Sequence, residues 1–403
     1  MWALFLGITL EPKWFQRVIL NLKHMNQTSQ TSHTAPGALR LSSIAQARQA
    51  VLLDQSSASC GWVAPWVERS WQRCLGYGLQ ADTSVTFAVL SKQNMQRTAD
   101  NNAHLVRTAK PLLENLGRAI VNTRYFAILT NSEGVVIDAS GAIDHSDPRA
   151  DLITRVGTDL SERAMGTTAI STALAELQPV WLHRGEHFFA NTTHYSCAGA
   201  PVIGPNGRCA GMLDLTGIDA IERPELKHLV TQSASKIENA LVLAQPHRLT
   251  LRLNWPGNSL GSDADGLVCL DGDGWITGAN PIARQMVPHL AAGSAQTAHT
   301  LHVSEIFGVA FEQLFDAARL DHQVLEVPLW TGLRLQVMAI ERDKEDAMSS
   351  LHLGSSRPES GPLKDIETAL IRRAVDEARG NVAQAAQALG ISRATVYRKL
   401  GKK

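Results

Sequence analysis

The chain has 403 residues, 38 Lys or Arg against 38 Asp or Glu, and a 44% hydrophobic composition. That length suggests several domains, and the composition is that of a globular protein rather than a disordered or fibrous one. No apolar run approaches the ~20 residues that span a bilayer. The five cysteines include no CxxC pair, which argues against a disulfide framework or a zinc cluster and for a reducing cytoplasm.

The first ten residues are apolar, but they lack a basic leader, and Glu11-Pro12-Lys13 breaks the run without a small-residue cleavage site. Neither a signal peptide nor a membrane anchor is expected. Met25 opens a polar stretch and reads as the more natural start, so residues 1–24 read as a start-site artefact. Residues 1–59 give no clear element, and residues 60–110 read as a helical lead.

Three segments then share one design: an apolar run, a turn and a second apolar run. Tyr125–Thr130 leads through Gly134 into Val135–Asp138. Ala198–Ile203 leads through Asn206-Gly207 into Cys209–Leu215, and Leu267–Leu270 leads through Asp273-Gly274 into Trp275–Thr277. Asn-Gly and Asp-Gly supply the positive φ angles that hairpins need. Between them the spacing predicts one helix starting at Pro111, with Leu112, Leu113, Leu116 and Ile120 on a face. A second is predicted from Pro224 to Pro246. Hairpins mixed with helices define an α+β class built on antiparallel sheets. The expected domains are 111–245 and 262–342. The Asp271–Gly274 run reads as a plain hairpin, because Ile282 stands where a calcium loop needs an acidic residue.

A polar linker, 343–362, precedes an all-α end at 363–403. Leu363, Ile366, Leu370, Ala374 and Ala378 form one helical stripe, and Gly380 suits a helix C-terminus. Asn381 caps a slim second helix, Gly390 permits a turn and Ser392 caps a third. Residues 364–403 carry nine Lys or Arg against four Asp or Glu, a surplus of five on an otherwise acidic chain. A helix-turn-helix with a basic last element is an electrostatic footprint for double-stranded DNA. Its DNA-facing residues are expected to be Ser392, Arg393, Ala394, Thr395, Tyr397, Arg398 and Lys399.

Gly380-Asn381-Val382, Leu389-Gly390-Ile391-Ser392-Arg393 and Thr395–Leu400 closely resemble the Fis-type helix-turn-helix of bacterial enhancer-binding activators. Upstream, Glu68–Cys74, Gly166-Thr167, Gly185-Glu-His-Phe188, Cys197-Ala198 and Leu213-Asp214-Leu215 resemble the acetoin-catabolism-regulator family. The resemblance implies a GAF-like sensor at 111–245 and, from Asp271–Ala283, a PAS-like domain at 262–342. One departure is Gly166-Thr-Thr-Ala-Ile-Ser171, where the family has Gly-Thr-Asn-Ala-Ile-Gly. Full-length members also carry an AAA+ ATPase between the PAS and Fis-type segments. Here only the linker stands there, and the sequence contains no G-x-x-x-x-G-K-[ST] phosphate loop.

The expected function is therefore a DNA-binding regulator with a small-molecule effector, without ATP-driven polymerase remodelling. The alternative is a sensor acting through association with a full-length paralogue. His187 and Cys197 are the residues placed against a ligand, since imidazole can donate or accept and a thiolate is soft. A hydrogen-bonded structural histidine and a core thiol remain the competing reading. No catalytic residue, metal or cofactor is expected, and the active form is expected to be a homodimer or a heteromer with a full-length relative.

Overall fold

The computed structural model describes residues 36–54, 61–292, 301–320 and 323–342. In the C-terminal segment it describes Val375, Val382, Gln384, Ala386, Arg393 and Val396. The proposed start-site segment 1–24 and the linker 343–362 lie outside the described residues. The chain divides into two compact units, Met1–Glu341 and Arg342–Lys403.

The first unit opens with α1 (Pro36–Arg48), which runs into a π turn at Gln49–Leu53. Ile44, Ala47, Val51 and Leu52 are buried, at the spacing of one helical face. An element therefore stands inside the stretch that sequence reading left undefined. Next, α2 (Pro65–Gly76) starts on a proline and buries Val67, Trp71 and Cys74.

The helix expected to begin at Pro111 begins much earlier. It is α3 (Lys92–Ala119), capped by the Ser91 side chain, with Pro111 in its interior. The expected division at 110/111 falls inside it. An interior proline costs about 3 kcal/mol through its missing N–H and its clash with the preceding turn. Burial of Leu105, Leu113 and Leu116 on one face offsets that cost, at roughly 1.5–3 kcal/mol for each side chain.

Then follow β1 (Tyr125–Asn131), β2 (Val136–Gly141), three short helices α4 (Pro148–Thr154), α5 (Glu162–Met165) and α6 (Ala169–Glu176), β3 (Val180–His183), β4 (Tyr195–Ile203) and β5 (Cys209–Ile218). The strands form one antiparallel sheet in the order β2-β1-β5-β4-β3. This is the GAF-like sheet. Both faces are covered, so successive residues enter different cores. Tyr125, Ala127 and Leu129 join Leu213 and Leu215 in a core with α3 and α7 (Leu226–Leu243). Phe126 and Ile128 join Cys197, Met212 and Phe188 in the opposite core, with α2 and α6.

The second, PAS-like sheet comprises β6 (Leu249–Asn254), β7 (Gly266–Leu270), β8 (Ile276–Ala279), β9 (Val324–Pro328) and β10 (Arg334–Glu341). Its order is β8-β7-β6-β10-β9, also antiparallel. Its first strand, β6, lies before residue 262, outside the span assigned to this domain from sequence. Between β8 and β9 lie α8 (Pro281–Met286), α9 (Pro288–Ala292) and α10 (Phe311–Ala318). The three hairpins read from sequence all form, and Asp271 Oδ1 accepts from Asp273 N and Trp275 N to hold the third turn.

The two sheets are fastened together. The Arg284 guanidinium on α8 donates to Pro205 O at 2.6 Å, at the tip of the β4–β5 hairpin, and to Ala279 O at 3.3 Å. Ala279 N donates to the same Pro205 carbonyl at 3.1 Å. On α7, Asn239 donates to Asp263 O and accepts from Asn280, while Val242 packs with Leu267 and Cys269.

In the second unit, Val375, Val382, Gln384, Ala386, Arg393 and Val396 are helical. Ala386 and Val396 are buried, with Val375 and Val382 packed against them. These residues fall in each of the three stretches expected to be helical and share one small core.

Candidate functional site

The site is built on the core face of the first sheet. Along β5, Met212, Asp214 and Thr216 point to that face. Register sets Cys197 directly opposite Thr216, and Gly199 opposite Asp214. A Cβ on Gly199 would lie 3.1 Å from the Ala169 carbonyl oxygen, so glycine here lets α6 sit close against the strand. The Thr216 hydroxyl donates to Asp214 Oδ2. With that hydrogen committed, the Cys197 thiol donates to Thr216 Oγ1 across 3.3 Å.

His187 reaches the same cavity from the loop after β3. Arg184 takes φ 48°, a left-handed conformation that a side chain disfavours, and the chain turns sharply there. Glu186 accepts from His183 N at 2.7 Å, and its own carbonyl accepts from Trp71 Nε1 at 2.9 Å. From α1, the Arg48 guanidinium donates to the carbonyls of Gly185, His187 and Phe188 at 2.8, 2.5 and 3.0 Å. The loop is thereby gripped from two helices, and the imidazole is buried.

His187, Cys197, Asp214, Thr216 and Tyr195 line one cavity, walled otherwise by Phe87, Ile153, Leu160, Met165 and Ile170 among others. Its volume is ≈ 10 Å³, room for about one water. Burial pulls the His187 pKa down to about 4 and pushes the Asp214 carboxyl up to about 7. Burial, with the nearby Asp214 charge, holds the Cys197 thiol well above its ordinary value. At neutral pH the imidazole is uncharged and the thiol is protonated. Among the described residues lining this cavity, two buried side-chain atoms have no hydrogen-bond partner, His187 Nε2 and Asp214 Oδ1.

The two residues singled out from sequence thus meet in one cavity. Asp214 stands in the sequence reading only within the Cys209–Leu215 run and the Leu213-Asp214-Leu215 resemblance, with no role of its own. Its signal was available: an acidic and a hydroxyl residue, Asp214 and Thr216, alternate in a strand buried on both sides. Of the expected DNA-facing residues, Arg393 is helical and exposed. Ser392, Ala394, Thr395, Tyr397, Arg398 and Lys399 lie outside the described residues. No helix among the described residues is long and apolar enough to cross a membrane.

Two five-stranded antiparallel sheets thus stand upstream in the chain of a basic C-terminal segment in which Ala386 and Val396 are buried. Two family models match: "Bacterial regulatory protein, Fis family" over residues 362–402 and "MimR, N-terminal domain" over residues 42–239. The acetoin catabolism regulatory protein of Cupriavidus necator is 28% identical over 275 residues, covering 65% of this chain and 39% of that protein. The acetoin dehydrogenase operon transcriptional activator AcoR of Bacillus subtilis is 26% identical over 225 residues, covering 55% and 36%. The chain therefore carries a Fis-type DNA-binding helix-turn-helix and is homologous to the acetoin-catabolism regulators, spanning about two fifths of their length. The crystal structure of the E. coli DhaR(N)-DhaL complex is similar at 14% identity and a TM-score of 0.42, covering 70% of this chain and 100% of that one.

Proposed function

We propose that this chain is a sequence-specific DNA-binding regulator whose GAF-like cavity takes a small-molecule effector. The observation that carries the effector half is the pair of unpartnered buried polar atoms, His187 Nε2 and Asp214 Oδ1, facing one cavity. Leaving a buried polar group unsatisfied costs about 1–3 kcal/mol, and a ligand that satisfies both recovers that energy as affinity. Cys197 serves as a wall of the cavity. Its protonated thiol favours a binding role over a nucleophilic one.

The DNA half rests on the Fis-type segment and its basic surplus. Ser392, Arg393, Ala394, Thr395, Tyr397, Arg398 and Lys399 form the reading surface, with Arg393 placed to meet a base edge or a flanking phosphate. One helix-turn-helix reads few base pairs, so the active form is a homodimer on paired half-sites. With no phosphate loop in the sequence, regulation proceeds without ATP-driven remodelling by this chain.

The test is fluorescence anisotropy of the full chain on its own upstream DNA. Sequence-selective binding is expected, and Arg393→Ala should weaken it by about 1–3 kcal/mol. Binding that equals that to random DNA at every salt concentration overturns the proposal.

A further inference from the structure

With Asp214 ionised, the described side chains that line the cavity in the first sheet have committed all their donors. Tyr195 donates its hydroxyl to Arg149 O at 3.2 Å, and Thr192 donates to Phe189 O at 2.9 Å. The Thr168 hydroxyl goes to Ser171 Oγ, whose own hydrogen goes to Gly166 O. Thr216 donates to Asp214, and Cys197 donates to Thr216. His187 Nδ1 lies 2.9 Å from Arg184 O. A carbonyl only accepts, so Nδ1 carries the imidazole hydrogen and Nε2 is a bare lone pair. Among the described residues, no Lys or Arg lines the cavity.

We infer, resting on the effector-sensor reading above, that the cavity selects a short-chain molecule whose polar group donates hydrogen bonds and bears no negative charge. An alcohol or an amine satisfies it, and a ketone or a carboxylate does not. A donor group meets His187 Nε2 directly. Asp214 Oδ1 accepts a second hydrogen when the carboxyl is ionised, or offers one to a hydroxyl oxygen when it is protonated. A ketone oxygen brings no hydrogen for His187 and leaves that lone pair buried and unmet. A carboxylate would enter with no cation in the wall and with Asp214 opposing it. The rest of the wall is carbon, from Ile153, Leu160, Met165 and Ile170. At ≈ 10 Å³ the cavity holds about one water, so a ligand of even a few carbons enters only if the wall yields. Met165, unbranched and adaptable, is the wall residue best able to give way.

Near-isosteric probes test this on the full chain by calorimetric titration at pH 8.5, where Asp214 is ionised: 2-propanol, isopropylammonium, acetone and acetate. 2-Propanol, isopropylammonium or both are expected to bind at least tenfold more tightly than acetone and acetate. Binding of the alcohol alone assigns a neutral hydroxyl ligand, and binding of the ammonium alone assigns a cation. Acetone or acetate binding as tightly as the donors, or no probe binding at all, overturns the inference. In Asp214→Asn, the new carbonyl keeps the Thr216 bond and the amide presents N–H to the cavity. The preference should then move toward acetone by about tenfold, the worth of one hydrogen bond of about 1.4 kcal/mol. An unchanged preference in the folded variant counts against the assignment of Asp214. A readout that needs no variant is the ¹⁵N resonance of His187 Nε2, which a donor probe should shift and acetone should not. A resonance unmoved by a bound donor overturns the role of His187. DNA anisotropy on the same samples separates the two readings. Donor preference without selective DNA binding overturns only the regulator, and selective DNA binding with acetone preferred overturns only this inference.

Discussion

The two five-stranded sheets both bury polar side chains, but they treat them differently. In the second sheet each such group closes a frame. Asp265, fully buried, accepts from Arg252 Nε at 2.8 Å, Gly261 N at 2.7 Å and Ser262 N at 3.1 Å. Asn280 accepts from Leu267 N and Ala283 N, capping α8, and donates to Asn239 Oδ1 and Asp265 O. In the first sheet, Asp214 and His187 each leave one atom open into a cavity. A satisfied buried polar group specifies a fold, and an unsatisfied one in a cavity marks a place for something else. The same residue type, aspartate in a strand or at its entrance, serves both purposes according to its partners.

Breaking the frame should have the largest effect. Asp265→Ala strands the Arg252 guanidinium and two backbone N–H groups, and should cost about 3–5 kcal/mol in urea unfolding. A loss under 1 kcal/mol would erase the distinction between the sheets.

Asp214→Asn should act in the opposite direction and depend on pH. Burial holds the folded Asp214 near 7 against an ordinary 3.8. Below about pH 4 the carboxyl is neutral in both states and contributes no penalty. Between about 4 and 7 only the folded protein keeps the proton, so stability falls as pH rises, by up to ~4 kcal/mol above 7. The asparagine variant lacks that loss, so its advantage over the parent should be near zero at pH 4 and largest at pH 8.5. Glu238, also pushed up to about 7 by burial, titrates in both proteins and cancels in the difference. A pH-independent difference would mean that Asp214 is solvated or paired.

The smallest of the three effects sharpens the comparison from the other side. Asn280→Ala removes a helix cap and two donated bonds, and should cost about 1–3 kcal/mol at every pH from 4 to 9. A slope with pH there would show that the frame is coupled to titration as the cavity is.

Much of this architecture was legible in the sequence, for identifiable reasons. The hairpins were carried by turns whose chemistry is local, Asn206-Gly207 and Asp273-Gly274 among them. The start of α3 was hidden because proline is the strongest local signal for a helix start, and here tertiary burial outweighs it. The strand β6 was missed because the long loop 255–265, not a tight turn, joins its run Leu249–Asn254 to β7, and its other partner, β10, lies at the far end of the domain. At the cavity, His187 and Cys197 could be picked by residue type. Their meeting with Asp214 depends on strand register and on a loop turned by Arg184. The tautomer of His187, on which the ligand's chemistry turns, follows from one carbonyl that only folding brings within reach.

The Arg284 fastening has a consequence for any attempt to handle the sheets as separate pieces. The strands that carry Cys197 and Asp214 end at the hairpin that Arg284 and Ala279 hold. A fragment cut after residue 245 would leave the Pro205 carbonyl without those donors and Val242 without Leu267 and Cys269. The complementary fragment would carry a half-buried Arg284 guanidinium that keeps Ala279 O and Leu290 O but loses Pro205 O. Each half would lose buried contacts at its cut face, and its melting point would describe a damaged protein. The ligand chemistry of the cavity is therefore a property of the joined pair, to be measured with both sheets on one chain.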